Sequence, residues 1–362
     1  MNLQSNTIRT IGMDLGDRNH VLCLLDDAGE VVAKCEVVNT AHALRNFLQQ
    51  FENPALVRVT MESGTHSPWI SHLLDSWGFE VLVGNARRLR AIWETDRKDD
   101  YRDAEMLARI GRFDPQLLYP IQHRSMEAHA DLAVLRARDA LMRSRTLLIN
   151  CARGLVKSEG GRLPKCSAPA FAKKAAEHVP IALAPAINPM LSQIAAMSTQ
   201  IREYERCVER LCECAYTDTS RMRQVAGVGA LTALAFLLTI EDPDRFRKNR
   251  SAGPFLGLTP KRDQSADTDK ELSISKAGDA YMRRLLTQSA NYILGPFGKD
   301  CELRRFGQRL AARGGKGAKR RAVTAVARKL AVLLLRLWKT GETYEPLRRR
   351  AGNSKDGQET AA

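Results

Sequence analysis

The sequence lacks the cysteine patterns of a disulfide-stapled or zinc-binding protein. Its eight cysteines are scattered, and two of them, Cys23 and Cys35, fall inside apolar stretches. Cys207, Cys212 and Cys214 cluster on a helical pattern but lack the paired Cys-x-x-Cys spacing of a structural zinc site. These thiols are typical of the core of a reduced, cytoplasmic protein.

Long apolar runs are also missing. No uninterrupted run reaches the roughly 20 residues that a transmembrane helix needs, and the first five residues lack the charged and apolar regions of a signal peptide. We therefore expect no membrane partner. The sequence has no internal repeat, and its 362 residues are enough for two or three domains with a sizeable core.

Acidic residues are scarce towards the C-terminus. The whole chain carries a formal net charge of +15, and the segment 299–350 contains sixteen Lys and Arg residues against four Asp and Glu residues. This asymmetry indicates a polyanionic partner. Nucleic acid fits it better than a membrane surface does, because no membrane-spanning run accompanies it.

The first 115 residues predict an α/β domain. Three strands are expected at 7–13, 19–25 and 30–38, with a hairpin turn between the last two. Further helices are predicted at 41–51, 68–77, 85–94 and 100–113, and further strands at 56–61 and 79–83. Three antiparallel strands followed by alternating helices and strands are the order of a ribonuclease-H-like fold.

Four carboxylates are expected at one edge of this sheet. Asp14 and Glu62 each follow a predicted strand, and functional groups gather at the carboxyl ends of parallel strands. Asp100 and Asp103 are three residues apart on a predicted helix and so share a face. Because neighbouring carboxylates repel each other and Mg²⁺ prefers oxygen ligands, the set predicts one or two Mg²⁺ ions acting on a phosphodiester. A solvated acidic helix start is the simpler alternative, since the helix dipole favours Asp there.

Residues 116–220 predict a helical linker and arm. A helix is expected at 120–160, a proline-containing linker or lid at 161–190, and a long helix at 190–216. Apolar residues three and four apart on the last helix form a narrow stripe. The stripe fits a coiled-coil arm and a core helix equally well.

A mostly helical domain is predicted at 221–347, followed by a disordered tail at 348–362. It begins with Gly227-Val228-Gly229 before an apolar helix. Such a turn resembles a helix-hairpin-helix start and exposes backbone N–H groups to a phosphate, although a tight packing turn has the same pattern. Residues 256–274 are polar and predict a loop.

One serine in that loop is a candidate nucleophile. Ser265 is flanked by Lys261, Arg262 and Lys270, whose charges would stabilise the charge that develops when a hydroxyl attacks phosphorus. Most loop serines are turn residues, and no His–Asp partner for a hydrolase-type triad is visible. Three nearby serines are rivals: Ser251, Ser273 and Ser275.

Sugar kinases and actin-like ATPases share one of these features. They also carry the pattern Asp14-Leu15-Gly16 after a strand. They need a second glycine-rich phosphate loop, which the sequence lacks, and paired helical aspartates have no role in them. The pattern therefore favours a nuclease-like site.

Short motifs along nearly the whole chain resemble those of the transposases of the IS110 insertion-sequence family. In the N-terminal part they are Ile11-Gly12-Met13-Asp14, Met61-Glu62-Ser63-Gly64 and Asp100-Tyr101-Arg102-Asp103-Ala104-Glu105. In the C-terminal part they are Ala226-Gly227-Val228-Gly229, Gly257-Leu258-Thr259-Pro260, Ile274-Ser275-Lys276-Ala277-Gly278 and Ala325-Val326-Ala327-Arg328-Lys329-Leu330.

The resemblance implies a RuvC-like N-terminal domain at 1–115, a coiled-coil arm and a C-terminal transposase domain. The family's Asp-Glu-Asp-Asp set falls on the same four carboxylates: Asp14, Glu62, Asp100 and Asp103. Spacing to Asp103 favours Asp100 over the adjacent Asp99. The family's serine, which forms a covalent phosphoserine link with DNA, falls on Ser265.

Partners are implied in the same way. They are double-stranded donor and target DNA, a structured noncoding RNA that pairs with both, and further copies of the chain in a dimer or tetramer. In such an oligomer the metal site of one subunit completes the serine site of another. We therefore predict Mg²⁺-dependent, serine-nucleophile DNA strand exchange that excises and integrates an insertion sequence.

Two alternatives remain open from the residues themselves. The first is a RuvC-like hydrolytic nuclease or Holliday-junction resolvase, which activates water and leaves free ends. The second is a non-catalytic nucleic-acid-binding protein whose carboxylates are structural and whose binding falls steeply with salt.

Overall fold

The computed structural model describes residues 8–89, 99–265 and 268–347. The chain divides into two compact units, 1–127 and 128–362. Each unit has its own buried core.

The first unit is built on a five-stranded mixed sheet. Its strands are β1 Ile8–Asp14, β2 Asn19–Asp26, β3 Val31–Val38, β4 Arg58–Glu62 and β5 Glu80–Gly84. In space their order is β3-β2-β1-β4-β5. The first three strands pair antiparallel, whereas β4 runs parallel to β1 and β5 parallel to β4. This mixed sheet is compatible with the predicted ribonuclease-H-like domain.

Helices pack on the sheet because its central strands are apolar on both faces. The helices of this unit are α1 Ala41–Leu48, α2 Ser67–Ser76, α3 Ala86–Leu89 and α4 Asp100–Phe113. Alternate residues of β2 enter different cores: Leu22 and Leu24 pack in one cluster with Leu44 of α1, and Val21 and Cys23 pack in another with α4. Such two-sided burial is typical of strands covered by helices. The helix predicted at 85–94 is seen as far as Leu89, and its remainder lies outside the described residues.

The second unit is mainly helical. Its helices are α5 Met126–Ser158 (which begins at the end of the first unit), α6 Phe171–Ala176, α7 Ala184–Cys214, α8 Thr219–Arg223, α9 Ala230–Ile240, α10 Ala252–Phe255, α11 Ala280–Leu294, α12 Glu302–Ala312 and α13 Ala318–Thr340. Helix α9 is buried almost all round, as its uniformly apolar sequence requires. It shares a core with α11 and with the apolar face of α13.

Helices α5 and α7 lie antiparallel and are joined by an ordered connection. The Arg138 guanidinium lies 2.5 Å from the Glu205 carboxylate, and the buried Arg145 donates to the Ser198 hydroxyl at 3.1 Å. In the segment predicted as a linker or lid, Phe171 is buried in a small core between the two helices. The helix α7 begins earlier than predicted because a proline is tolerated in its first turn.

The helical segment 181–214 is long and apolar enough to cross a membrane by length and composition. One such helix is weak evidence, because core helices of other proteins pass the same test. The apolar residues of α7 form a stripe, and buried positions recur along it at Ile187, Leu191 and Ile194. A one-sided stripe is the pattern of a helix packed against protein.

The polar loop predicted at 256–274 is wrong for most of its length. Residues Pro260–Ser265 form β6 and Thr268–Ile274 form β7, and the two strands pair antiparallel as a hairpin. Polar and apolar residues alternate over 271–274, which is the period of a strand with one covered face. The sequence therefore carried a strand signal that its overall polarity obscured.

Candidate active site

The acidic motif of the first unit forms the start of α4. Asp99 is the N-cap residue, and its carboxylate accepts a hydrogen bond from the Tyr101 backbone N–H at 3.1 Å. Asp100 and Asp103 then occupy the first turn, where the positive end of the helix dipole stabilises negative charge. The adjacent aspartates therefore differ in role: Asp99 caps the helix, and the next two present carboxylates from it.

Small residues allow α4 to lie directly on β1. A Cβ added to Gly12 would overlap the Ala104 carbonyl oxygen and come within 2.5 Å of the Ala108 nitrogen. On the neighbouring strand, the Thr60 hydroxyl donates to the Leu107 carbonyl at 2.9 Å, and Gly111 leaves room for the Thr60 side chain. The helix backbone can approach the sheet only because these positions carry no bulky side chain.

This close packing gathers three carboxylates at the end of β1. Among the described residues, Asp14, Asp100 and Asp103 each offer an oxygen atom, and these oxygens lie within 4.8 Å of one another. Asp14 and Asp103 are half-buried and Asp100 is exposed. Three carboxylates at this distance repel one another unless a cation lies between them. Their hard oxygen donors fit Mg²⁺ or a similar divalent ion.

The fourth predicted carboxylate lies on the neighbouring strand. Glu62 ends β4, one residue beyond the aligned pair Met13 and Met61, and pairs with Gly84 of β5. It is not a member of the three-carboxylate group that the described residues form. The structure therefore brings three of the four predicted ligands together and leaves the fourth at the adjacent strand end.

Ion pairs tie α4 to the edge of the sheet. The Glu105 carboxylate accepts hydrogen bonds from Lys34 of β3 and from Arg109 of α4, each at 2.8 Å. These bonds hold the pKa of Glu105 below its ordinary value. In addition, the Tyr101 hydroxyl donates to the Glu36 carboxylate at 3.0 Å. The orientation of the acidic turn thus depends on side chains from β3 that the acidic motif itself does not contain.

We expect Glu105→Gln to lower the free energy of unfolding by less than about 1 kcal/mol at pH 7, because the pair is partly solvated. A depressed carboxyl pKa contributes stability that is present above the unfolded value and is lost as the pH falls through the folded value. The difference between wild type and variant should therefore narrow below pH 4.5, the ordinary value. Urea denaturation at several pH values measures it. Glu52→Gln is the control, because Glu52 is exposed and has no ion-pair partner within the described ranges; a pH-independent difference for Glu105→Gln would contradict the assignment.

A second polar contact lies beside the carboxylates. The loop after β1 and the start of α2 are joined by Asp17 and His66, whose side chains are 2.9 Å apart. At the start of the same helix, the Ser67 hydroxyl lies 2.8 Å from the His123 ring nitrogen. These residues come from three separate segments, so no local spacing in the sequence could have indicated them.

The predicted nucleophile lies in the second unit, at the end of a strand. Ser265 is the last residue of β6 and is aligned with Thr268 at the start of β7. Two glycine-containing motifs close the other end of the hairpin. Gly257 has a φ of +66° and packs against the Ala277 backbone, and Gly278 has a φ of +69° and packs against the Phe255 carbonyl. The left-handed glycines therefore fix the base of the hairpin whose far end carries Ser265.

The rival serines occupy different positions. Ser251 precedes α10 and is half-buried. Ser273 is exposed on β7. The Ser275 hydroxyl accepts a hydrogen bond from the Ala277 N–H at 3.4 Å, which is a turn-stabilising contact.

The glycine turn at 227–229 is present as predicted. Gly227 adopts a φ of +89°, and Gly229 is the N-cap residue of α9. A Cβ at Gly227 would lie 2.8 Å from the Tyr292 ring. Tight packing therefore requires this glycine, whatever the helix start binds.

Comparison with known proteins gives a consistent result for both halves of the chain. Residues 11–159 match the IS110-type DEDD transposase model, and residues 219–297 match the model of the transposase IS116/IS110/IS902 family. The chain is 26% identical over 93% of its length to the transposase for insertion sequence element IS1111A of Coxiella burnetii, covering 91% of that protein.

Other curated relatives agree. A putative transposase, y4pF/y4sB, of Sinorhizobium fredii is 27% identical over 83% of this chain and 77% of its own length. The transposase for insertion sequence element IS1328 of Yersinia enterocolitica is 26% identical over 79% of this chain and 84% of its own length. The three-carboxylate group lies within the first matched region and the glycine turn and hairpin within the second. The chain therefore belongs to the IS110 family of transposases, enzymes of DNA transposition.

Proposed function

We propose that the protein excises and integrates an insertion sequence by divalent-metal-dependent strand exchange with a serine nucleophile. The observation that carries this proposal is the group of three carboxylates at the contact between β1 and α4. These side chains come from segments more than eighty residues apart, and Gly12 keeps the helix close enough for them to meet. A solvated helix start would need neither the third carboxylate nor this packing.

The proposed metal ligands are the full acidic set: Asp14, Glu62, Asp100 and Asp103. Their donor chemistry suits Mg²⁺, which takes oxygen ligands. When bound, divalent ions would stabilise negative charge on the attacking and leaving oxygens of a phosphodiester. Glu62 is included because it ends the strand next to Asp14. Its participation accounts for a carboxylate at that strand end.

Ser265 is the proposed nucleophile. Its hydroxyl oxygen would form a bond to phosphorus while one deoxyribose oxygen–phosphorus bond breaks, and the proton of the hydroxyl would pass to the departing deoxyribose oxygen. A deoxyribose hydroxyl from another strand would then attack the phosphoserine, release the serine and restore a phosphodiester. The number of phosphodiester bonds is conserved, so the exchange needs no external energy source. Support comes from the position of Ser265 at a strand end beside a short turn and from the nearby cations Lys261 and Arg262, which are exposed on β6.

The partners follow from the family and from charge. DNA is the substrate of a transposase, and the net charge of +15 favours binding of polyanions. We propose in addition that a structured RNA selects donor and target DNA by base pairing, so that the protein recognises backbone and shape. We further propose a homo-oligomer, dimer or tetramer, in which the acidic set of one copy acts with Ser265 of another.

The decisive experiment compares Asp100→Asn with Asp99→Asn. Both changes remove one negative charge, and asparagine at position 99 keeps the helix cap because Asn and Asp cap equally well. We expect Asp100→Asn to reduce Mg²⁺-dependent DNA cleavage about a hundredfold, the usual cost of removing one group that stabilises a transition state. Asp99→Asn should remain close to wild type, and chelation by EDTA should stop cleavage in all three proteins. Equal losses in both variants, or full activity in EDTA, would contradict the proposed metal site.

A hydrolytic nuclease is the second candidate, because the three gathered carboxylates all belong to the first unit. Such an enzyme would use metal-activated water and leave free DNA ends. Denaturing gel electrophoresis of the cleavage products distinguishes the two functions. The serine mechanism predicts protein that stays attached to labelled DNA, whereas the hydrolytic mechanism predicts labelled DNA alone.

A further inference from the structure

The second unit contains a large groove next to the hairpin. Its volume is about 1170 Å³, and it lies between α12, α13 and the base of β6 and β7. We call it the α13 groove. Its cationic lining includes Arg250, Arg313, Arg320 and Arg328, and its apolar lining includes Leu272 and Leu333.

The cations of the α13 groove are not neutralised by the protein. In the part of the chain that the structure describes, Arg250, Arg313, Arg320 and Arg328 have no carboxylate within ion-pair distance. Only two carboxylates, those of Glu302 and Glu345, line the same groove. Unpaired arginines around one concave surface attract a phosphodiester chain. Arginine suits this role because its planar guanidinium matches a phosphate group.

The start of α13 adds to this field. Its N-cap is Gly317, which has a φ of +84° and gives no side-chain cap. The first turn contains no acidic residue and instead carries Lys319, Arg320 and Arg321. Cations at the positive end of a helix dipole are unfavourable. An anion bound beside them would remove that cost, which indicates that the charge serves a ligand and not the helix.

The floor of the groove is apolar, and this selects among polyanions. Leu272 on β7 is 49% exposed, and Phe306 lies on α12 with the Lys329 ammonium 3.9 Å from its ring centroid. A DNA duplex presents phosphates to such a surface but keeps its bases stacked inside. Unpaired nucleotides present phosphates to the cations and bases to the apolar floor. The combination therefore fits a strand with unpaired nucleotides better than a duplex.

The hairpin connects this groove to the proposed nucleophile. Pro260 and Ile274 at the hairpin base line the groove, and Ser265 lies at the other end of β6. Five residues of extended strand span about 17 Å. A DNA strand held in the groove would therefore need to extend only a few nucleotides along the hairpin to reach Ser265.

We propose that the α13 groove binds unpaired nucleotides of the DNA strand that flanks the phosphate attacked by Ser265. The inference rests on the proposed serine mechanism for its choice of strand, and on the charge and apolar floor of the groove for the binding itself. The groove holds the strand out of the duplex. The neighbouring hairpin then receives the scissile phosphate.

The test compares two double variants of the full chain with equal charge. Arg320→Ala/Arg328→Ala removes two groove cations, and Lys299→Ala/Lys319→Ala removes two exposed cations outside the groove lining. The probes are a fluorescein-labelled 12-nucleotide DNA strand, its blunt duplex and the RNA strand of the same sequence, measured by fluorescence anisotropy without divalent ions. We expect the groove variant to bind the DNA strand about tenfold more weakly and to lose about 1.4 from the salt slope, or about 0.7 for each phosphate contact on a single strand.

The control variant should lose less than about threefold in the same assay, because its lysines provide only general attraction. Leu272→Ser should weaken the DNA strand more than the duplex, since it changes the apolar floor without changing charge. Equal losses in the two double variants, equal losses for strand and duplex, or tighter binding of the RNA strand than of the DNA strand would each overturn the proposal. Circular dichroism confirms that each variant is folded.

Failure of this inference can be told apart from failure of the serine mechanism. Strand binding without divalent ions does not require Ser265 to react, so Ser265→Ala should bind the DNA strand like wild type. If the groove variants bind normally while Ser265→Ala loses its DNA adduct, the groove inference fails and the mechanism stands. If the groove variants lose strand binding while Ser265→Ala keeps its adduct, the mechanism fails.

Discussion

Replacing Ser265 with alanine is expected to abolish the covalent protein–DNA adduct completely, while nucleic-acid binding stays at the wild-type level. Alanine lacks the hydroxyl that forms the bond to phosphorus, and neighbouring groups cannot supply another nucleophile at the same position. Nothing else in the binding surface changes, because the substitution removes a single oxygen atom. Denaturing electrophoresis with end-labelled DNA measures the adduct, and anisotropy measures binding.

The controls for this prediction come from the rival serines. Ser273→Ala changes an exposed serine on the same hairpin, and Ser251→Ala changes a serine before α10. Both variants should retain the adduct. An adduct that survives in Ser265→Ala and disappears in one of these variants would move the nucleophile to that residue. An adduct that survives in all three would remove the serine mechanism.

Sequence reasoning predicted the sheet of the first unit because its signals are local. Each strand carries its own apolar pattern and each turn its own glycine or aspartate, as at Gly29, which has a φ of +87° between β2 and β3. The start of α4 was equally readable, because capping depends on residues two or three apart, as Asp99 and Tyr101 are. These features do not require knowledge of distant contacts.

The hairpin that carries Ser265 was not predicted, because what stabilises it is distant in sequence. Its base is closed by Gly257 and Gly278, which each pack against the backbone of the other segment. A polar strand pair held by such a closure has little hydrophobic signal of its own. The α13 groove was hidden for the same reason. Its arginines come from several segments, and only the folded unit brings them to one surface.

The acidic site was predicted in composition but not in arrangement. Spacing on a helix indicated Asp100 and Asp103, and strand ends indicated Asp14 and Glu62. Whether the helix meets the sheet closely enough depends on residues that carry no charge. Gly12 on β1 decides this contact, because it faces the α4 backbone at Ala104 and Ala108. The residue that most strongly controls the distance between the carboxylates is therefore not itself a carboxylate.

Gly12→Ala is accordingly expected to disrupt the site without removing any charged group. The added Cβ would overlap backbone atoms of α4, which cannot rotate away as a side chain can. Overpacking of this kind costs about 3 kcal/mol or more when backbone must move, so we expect a large decrease in the urea midpoint of the first unit. Where the variant stays folded, α4 must shift outward and carry Asp100 and Asp103 away from Asp14. Mg²⁺-dependent cleavage should then fall together with stability.

Gly64→Ala is the matched control for this change. Gly64 lies in the same unit, two residues after Glu62, and a Cβ added there has open space around it. Its urea midpoint and cleavage rate should stay close to those of wild type. Equal effects of the two substitutions would show that glycine flexibility, and not the contact between β1 and α4, is what the site needs. A stable and fully active Gly12→Ala would mean that the carboxylates do not depend on this packing, because relaxation of the helix by a few tenths of an ångström cannot absorb an overlap with its own backbone.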